Sequence, residues 1–402
     1  MLEKNYFYEE SLELTKKLVK IPSLNGTEGE RHLAEYVRDW LAELPYFQEF
    51  PEQLVVQEVK NDPIHRINIL ALVKGTRSDC KDTLILQGHC DTVDIDGYGS
   101  LKEYAFDYDA LPEKIKALTD DPEVLEDIDS GDWMFGRGAC DMKCGDAILM
   151  CITKYFTEHL DRFDGNIVYM LNPVEENQHY GIMDSLDVLL DWRKNEQLNY
   201  LLSINTDFFS PAYPGDNHKY FHAGAVGKIL PCFYIHGLPT HVGHAYEGFS
   251  VTLAASEIMR QMELRADFAD EYNGELPGPP LSLRSRDLKP SYNVTSPEAC
   301  FMYFNYFIHN ESMTVIMDRL RSVAQQAMDF VNEHTDTQFR RYCERSGDTY
   351  HSIKYPTQVL EMINAHFNPY ETDIPAGNLQ IRTVSSSSQT SSSSSGSASS
   401  ST

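Results

Sequence analysis

The sequence lacks the features that mark membrane, secreted or nucleic-acid-binding proteins. No apolar run approaches the ~18 residues of a membrane helix, and the N-terminus has no basic region followed by an apolar segment, so no signal peptide is expected. Lys and Arg number 34 against 61 Asp and Glu, and the net charge of −27 argues against nucleic-acid or anionic membrane partners. The eight cysteines lack Cys-x-x-Cys spacing. We therefore expect a cytoplasmic protein with reduced thiols.

The first half of the chain alternates between strand and helix patterns. Residues 67–73 and 83–87 are short β-type runs, which we interpret as neighbouring strands, and residues 27–30 form a capping box that opens a helix. A helix from about residue 146 to 159 should pack beside a strand at 167–171. This alternation predicts an α/β fold with a mostly parallel sheet and helices on both faces. The acidic stretch at 94–132 reads as a solvated loop rather than a calcium site.

Beyond Asp207 the pattern changes to that of a smaller α/β unit. Strands are predicted at 227–235 and 299–308 and helices at 248–264 and 313–333, with a Pro/Gly-rich connection at 277–290. At 402 residues the chain is long enough for more than one domain. We predict a first domain at 1–218, an inserted α/β sandwich (lid) domain at 219–335, an incomplete return segment at 336–384 with a helix at 357–367, and a disordered serine-rich tail at 385–402.

Polar motifs stand where the predicted strands end. They are Gly88-His89-Cys90-Asp91 after the run at 83–87, Ala139-Cys140-Asp141-Met142 after an apolar approach at 133–135, Pro173-Val174-Glu175-Glu176 after 166–171, and Asn205-Thr206-Asp207 after 200–204. Ligands of open α/β sheets bind beyond the carboxyl ends of the strands. Imidazole and carboxylate groups that converge there predict a metal site.

Each motif also has a plainer interpretation. His89 and Asp91 lie two residues apart, so both side chains point to one face of a strand, which suits a metal ligand and its acidic neighbour. A lone histidine at a strand end, however, is more often a polar residue whose hydrogen bonds are made within the protein. Asp141 suits a bridge between two cations or a helix N-cap. Gly136-x-Gly138 is a weak dinucleotide loop, because a carboxylate at the third glycine position would repel a pyrophosphate.

Glu175 and Glu176 are the most informative pair. Adjacent carboxylates at the exit of an apolar strand repel each other and lose hydration unless a positive charge lies among them. A surface turn is the alternative. In the functional interpretation, one glutamate ligates a metal such as zinc and the other is a general base toward water. Asp207 offers a further oxygen ligand or forms a turn.

As an ordered set, the motifs resemble those of the co-catalytic zinc peptidases of the aminoacylase, carboxypeptidase G and succinyl-diaminopimelate desuccinylase family. The resemblance runs from about residue 8 to about residue 330. Further details, among them Arg286-Asp287-Leu288-Lys289 and Tyr303-Phe304-Asn305-Tyr306-Phe307, look most like the arginine-utilisation hydrolases of the roc catabolic operon.

The resemblance implies a role for each candidate residue. His89 and Asp207 would bind one zinc ion, Asp141 would bridge and Glu176 would bind a second ion, with Co²⁺ or Mn²⁺ as possible substitutes. It also implies Glu175 as the general base, Asp91 as the partner of His89, a cis peptide after Asp141, His241 of the lid as an oxyanion donor across a dimer interface, and Asn293 near the substrate. Both His241 and its competitor His244 are also interpretable as loop histidines without a role.

Two departures from the family pattern keep a second function open. No arginine stands in the lid strand after Asn293, and no histidine after the lid lies in a glycine-rich motif, so the chain looks truncated. The first hypothesis is a dimeric zinc hydrolase that cleaves the amide C–N bond of an N-acyl amino acid or dipeptide-like small molecule in amino-acid catabolism, arginine included. The second is a degenerate, non-catalytic member that binds metal or a partner.

Overall fold

The computed structural model describes residues 5–208, 210–211, 213, 215–360 and 380–382. The chain divides into two compact units, Met1–Tyr220 and Phe221–Thr402. The predicted tail at 385–402 and most of the predicted helix at 357–367 lie outside the described residues. Among the helices that the structure describes, none combines the length and apolar character needed to cross a membrane.

The first unit is built on a five-stranded sheet in the order β1-β2-β4-β3-β5. Its strands are β1 (Leu54–Glu58), β2 (Ile67–Lys74), β3 (Asp82–His89), β4 (Asn166–Asn172) and β5 (Asn199–Asn205). β3 pairs in parallel with β4 and β5, whereas β2 is antiparallel to both β1 and β4, so four of the five strands share one direction. The α/β class with a mostly parallel sheet is confirmed. The prediction that β2 and β3 are neighbours is wrong, because β4, buried at every position, lies between them.

Helices cover both faces of this sheet. They are α1 (Tyr8–Val19), α2 (Glu28–Ala42), α3 (Pro45–Glu49), α4 (Leu111–Lys116), α5 (Pro122–Ser130), α6 (Cys144–Thr157) and α7 (Tyr180–Asn195). Alternate residues of β2 enter opposite cores: Ile69 and Ala71 pack with α1, α2 and α6, while Leu70 and Leu72 pack with Leu189 of α7. Because successive side chains of a strand point to opposite faces of the sheet, β2 contributes residues to the apolar layers on both faces.

Three local predictions in the first unit need correction. The acidic stretch at 94–132 holds α4 and α5 rather than a plain loop. The approach to Asp141 at 133–135 is not a strand, and Trp133 is 63% exposed, so only three of the four motifs follow a strand. At the start of α2, the capping box is altered: the Glu30 side chain accepts from the N–H of Gly26 rather than that of Thr27.

In its described residues, the second unit consists of a six-stranded sheet and two α-helices. Its strands are β6 (Gly227–Ile229), β7 (Cys232–His236), β8 (Leu281–Asp287), β9 (Ala299–Ile308), β10 (Gln358–Leu360) and β11 (Gln380–Arg382), and its helices are α8 (Val251–Met262) and α9 (Met313–Ser346). β9 pairs antiparallel with β6, β7 and β8. Phe233 and Phe304 of the sheet pack against Ile258 of α8 and Leu320 of α9 in one core.

The details of this unit differ from the sequence predictions in four places. The strand predicted at 227–235 is interrupted at Pro231, which has no N–H for a β ladder. β8 occupies the predicted Pro/Gly-rich connection at 277–290, and β10 occupies the start of the helix predicted at 357–367. α9 runs past its predicted end at 333, and past position 335, to a left-handed cap at Gly347 (φ 80°).

Candidate metal centre

The candidate site lies in the first unit, at the carboxyl ends of three strands that run in parallel. His89 is the last residue of β3, Glu175 and Glu176 follow β4 closely, and Asp207 follows β5. Asp141 comes from the irregular turn Ala139–Lys143 ahead of α6, and the Asp141–Met142 peptide is cis, as the family resemblance implied. The structure therefore brings these five predicted residues to one edge of the sheet.

His89 is the centre of this cluster. Its side chain is 3% exposed, and its Nε2 atom lies 3.3 Å from Asp141 Oδ1, 3.7 Å from Asp207 Oδ1 and 3.8 Å from Glu175 Oε2. Within the described residues, no group makes a hydrogen bond of proper geometry to this buried nitrogen. A buried polar atom without a partner is costly, so an atom surrounded by carboxylates in this way fits a bound cation.

The other ring nitrogen explains why Nε2 is available. His89 Nδ1 lies 3.0 Å from the backbone oxygen of Asp91, and because a carbonyl oxygen only accepts, Nδ1 is the nitrogen that keeps its proton when the ring is neutral, as it is in a metal ligand. The lone pair of the neutral imidazole is then on Nε2, which faces the carboxylates. This arrangement is the usual one for a metal-binding histidine.

Asp91 also organises the segment that carries the two glutamates. Its buried carboxylate accepts from the backbone N–H groups of Glu175 (3.0 Å) and Glu176 (2.9 Å) and from Asn25 Nδ2 (2.7 Å). Its Oδ1 lies 3.5 Å from His89 Nδ1. Asp91 therefore connects the predicted ligand His89 to the loop after β4.

The clustered carboxylates of the site favour a bound positive charge. Burial raises the pKa of Glu176 to about 7 with help from Asp141, and burial is also the main reason that the pKa of Glu175 is raised. Burial lowers the pKa of His89, but Asp141, Asp207 and Asp91 outweigh it and raise that pKa overall. The carboxylates therefore compete for any cationic partner, as expected of a site that binds a divalent ion.

Two groups of donor atoms could each hold a metal ion. One consists of His89, Asp141 and Glu176 and the other of His89, Glu175 and Asp207, with the donor atoms of each group within 4.8 Å of one another. The family resemblance paired His89 with Asp207 and left Glu175 as a base. The geometry is compatible with that division, and it also allows Glu175 to be a ligand.

The site contains residues that sequence reasoning did not single out. His179 lies 4.0 Å from Glu175 Oε1 and, with His89 and Glu175, lines a cavity of about 70 Å³. Asn25 reaches Asp91 from the turn before α2. Asp146 is fully buried against Gly88, with neither carboxylate oxygen hydrogen-bonded within the described residues, and burial raises its pKa to about 8. Only the position of Asp146 five residues after Asp141 could have pointed to it.

His241 and Asn293 lie in the second unit. The exposed His241 caps a short turn, with Nδ1 accepting from the N–H of Gly243 at 3.1 Å. Asn293 Oδ1 accepts from the backbone and the hydroxyl of Thr295, and Asn293 lines a cavity of about 400 Å³ with Lys289 and His236. A β-bridge between His241 and Thr295 places the two predicted residues in adjacent segments.

Comparisons with known proteins relate the chain to a peptidase family, to curated relatives and to solved structures. Residues 104–354 match the Peptidase family M20/M25/M40. The chain is 38% identical over 349 residues to Protein RocB of Bacillus subtilis (strain 168), which covers 87% of this chain and 62% of RocB. It is 28% identical over 234 residues to the succinyl-diaminopimelate desuccinylase of Wolbachia pipientis wMel, covering 58% and 48%. The fold resembles that of the M20 family metallo-carboxypeptidase Sso-CP2 from Sulfolobus solfataricus, with a TM-score of 0.53 at 15% identity over 79% and 76% of the chains.

The fold is that of an α/β protein, and its donor cluster could hold a metal ion. More specifically, the chain belongs to the M20/M25/M40 peptidase family, whose match extends over well more than half of its residues. It spans about half to three fifths of the length of the curated relatives it matches.

Proposed function

We propose that this chain is a zinc-dependent hydrolase that cleaves an amide or peptide-type C–N bond. The main support for this proposal is the environment of the His89 Nε2 atom. This atom is buried, makes no hydrogen bond within the described residues, and lies 3.3–3.8 Å from three carboxylates that belong to three separate segments. A cluster of one imidazole and several carboxylates suits zinc, with cobalt or manganese as substitutes.

The residues of the site would divide the work as follows. His89, Asp141, Asp207 and Glu176 would hold the metal. A bound divalent ion would polarise the scissile carbonyl and acidify a water molecule. Glu175, whose pKa burial raises, would take the proton from the attacking water and return it to the leaving nitrogen. Asp91 would keep the imidazole of His89 oriented.

The proposed substrates are N-acyl amino acids or dipeptide-like molecules. The name of the desuccinylase relative describes removal of an acyl group, and the resemblance to arginine-utilisation hydrolases favours a substrate of arginine catabolism. The eight cysteines are unpaired in the structure, which is compatible with the cytoplasm that we propose as the compartment.

We also propose a homodimer in which the second unit supplies His241 as the oxyanion donor and Asn293 as a substrate contact. The exposure of the imidazole of His241 supports the proposal. His244, whose Nδ1 lies 3.2 Å from Glu247, is less suited, because that carboxylate already engages it.

A second candidate function is metal binding without catalysis. The observation that favours it is that, in the described residues, both donor groups depend on the same His89, so a second ion would lack an imidazole of its own. Such a protein would hold one ion and turn over no substrate.

Reconstitution of the whole chain separates the two candidates. Protein stripped with a chelator would be reloaded with zinc, cobalt or manganese and assayed by elemental analysis and against a panel of N-acyl amino acids and dipeptides, arginine derivatives included. We expect hydrolysis that requires the metal. Tight metal binding with no hydrolysis across the panel would support the non-catalytic alternative instead.

A further inference from the structure

Three consecutive backbone N–H groups follow β4, and all three are bound by carboxylates. Val174 donates to Glu30 Oε2 at 3.0 Å, and Glu175 and Glu176 donate to the two oxygens of Asp91 at 3.0 and 2.9 Å. Asp91 follows β3 next to the candidate ligand His89, whereas Glu30 belongs to α2. Two separate parts of the first unit therefore fix the backbone of the segment that carries both glutamates.

Glu30 is itself rigidly held. It is fully buried, and its Oε1 accepts from the N–H of Gly26 (2.7 Å) and from Arg66 Nη1 (2.9 Å). Arg66 is anchored in turn by Asp62, which accepts from its Nη2 at 2.6 Å and its Nε at 3.0 Å. This Asp62–Arg66–Glu30 chain uses two carboxylates and a planar guanidinium, an arrangement that fixes direction better than a single flexible contact.

The backbone conformation of Val174 explains why its N–H needs a fixed hydrogen-bond acceptor. The residue has a φ of 67°, a left-handed conformation that β-branched residues rarely adopt, and its side chain is 2% exposed. The loop would leave this conformation unless its surroundings imposed it. Glu30 Oε2 is the acceptor for the N–H of Val174, so without it a buried donor would lose its partner at a strained position of the backbone.

We propose that Glu30, held by Arg66, is a positioning residue for Glu175 and Glu176. It acts through the backbone of Val174: the Glu30 carboxylate fixes the left-handed turn, and the turn directs both glutamate side chains toward His89. This role rests on the proposed function for its catalytic consequence, but its effect on loop order and on metal affinity does not depend on turnover.

The test compares Glu30→Gln with a matched control, Glu35→Gln. Glu35 lies on the same helix and also pairs with an arginine, Arg31, at 3.0 Å, but it is not among the residues that bind the loop. The side-chain amide introduced by Glu30→Gln would present a donor where an acceptor is required. In metal-free protein, we expect hydrogen exchange of the amides at 174–176 to rise at least tenfold in Glu30→Gln and to stay within twofold of wild type in the control. Glu30→Asp, which keeps the charge for Arg66 but is one methylene short, is the second variant if Glu30→Gln does not fold.

Cobalt provides the second readout. We expect the folded Glu30→Gln variant to bind Co²⁺ at least tenfold more weakly than wild type, with an altered visible absorption spectrum. In the hydrolysis assay, we expect the substitution to lower kcat by a larger factor than it raises KM. Unchanged exchange at 174–176, or unchanged cobalt affinity in the folded variant, overturns the positioning role. If the wild-type protein hydrolyses no substrate while both effects are seen, the proposed function fails and the positioning role stands.

Discussion

The division of labour between the two adjacent glutamates can be tested by Glu175→Gln. The substitution preserves shape, and because Asp91 binds residue 175 through its backbone N–H, the hydrogen bond at 3.0 Å survives. The side chain loses only its negative charge and its ability to take a proton. We therefore expect Glu175→Gln to fold and to retain metal, since His89, Asp141, Asp207 and Glu176 are unchanged.

The expected loss of rate follows from the base role. General-base catalysis contributes ~10²–10⁴-fold, which is about 2.7–5.4 kcal/mol of activation free energy at 1.36 kcal/mol per tenfold. Burial raises the pKa of Glu175 and so brings it nearer to neutral pH, where a base is most effective. The loss should appear in kcat, with KM changed little, because the proton moves only in the reaction itself.

The matched control is Glu176→Gln at the next position. Glu176 shares a donor group with Asp141, so its substitution should weaken metal binding at least ~10-fold, in the range seen when groups around a metal site are removed. The assays are kcat and KM at saturating zinc, and zinc affinity by competition with a chromophoric chelator. If Glu175→Gln also releases zinc, Glu175 is a ligand of the second donor group, and the assignment of the base is refuted.

Three further predictions follow from the two units. His89 is common to both donor groups, so we expect one tightly held zinc and a weak or absent second by elemental analysis; two equally tight ions would contradict this. Mixed dimers of His241→Ala and Glu175→Gln should regain part of the activity if the second unit acts across a dimer, and a confirmed mixed dimer without activity would contradict it. Asp270 accepts from the N–H groups of residues 309, 310 and 311. Burial raises its pKa, but these donors outweigh burial and lower it, so its stabilisation is present above pH ~4 and lost as the pH falls further. Asp270→Asn should lower the free energy of unfolding by about 2 kcal/mol at pH 7 and by less at pH 3, measured in urea; equal losses at both would contradict the charge role.

The sequence was sufficient to predict the fold class and the convergence of the site, for one physical reason. Strands that run in parallel end at the same edge, so a histidine and carboxylates that follow three apolar runs must lie close together. The order of the strands within the sheet was not predictable in the same way. β4 lies between β2 and β3, because pairing depends on long-range packing that the local pattern of apolar residues does not encode.

The missed elements have local explanations. β8 alternates between exposed and half-buried residues, but its proline- and glycine-rich flank suggested a connection. α9 continues 13 residues beyond its predicted end at 333 to Ser346, because the first strong stop signal is Gly347. Glu30 was predicted as a capping residue, whereas in the structure it binds Arg66 and the loop after β4. Sequence spacing identifies a cap but not a partner 36 residues away.

Adjacent glutamates pose a geometric problem that the structure resolves at Val174. In an extended strand, residues 175 and 176 would point to opposite faces, and only one carboxylate could approach His89. Both belong to donor groups with His89, so the chain must leave strand geometry before it reaches them. The positive φ of Val174 is where it does so, at a cost of about 1–3 kcal/mol for a residue that is not glycine. A glycine at position 174 would remove this strain, but it would also remove the buried valine side chain. With valine present, the buried carboxylates that bind three successive N–H groups stabilise the turn instead. The conformation that brings both carboxylates to one metal site is thus maintained by hydrogen bonds to Glu30 and Asp91, on two other segments of the first unit.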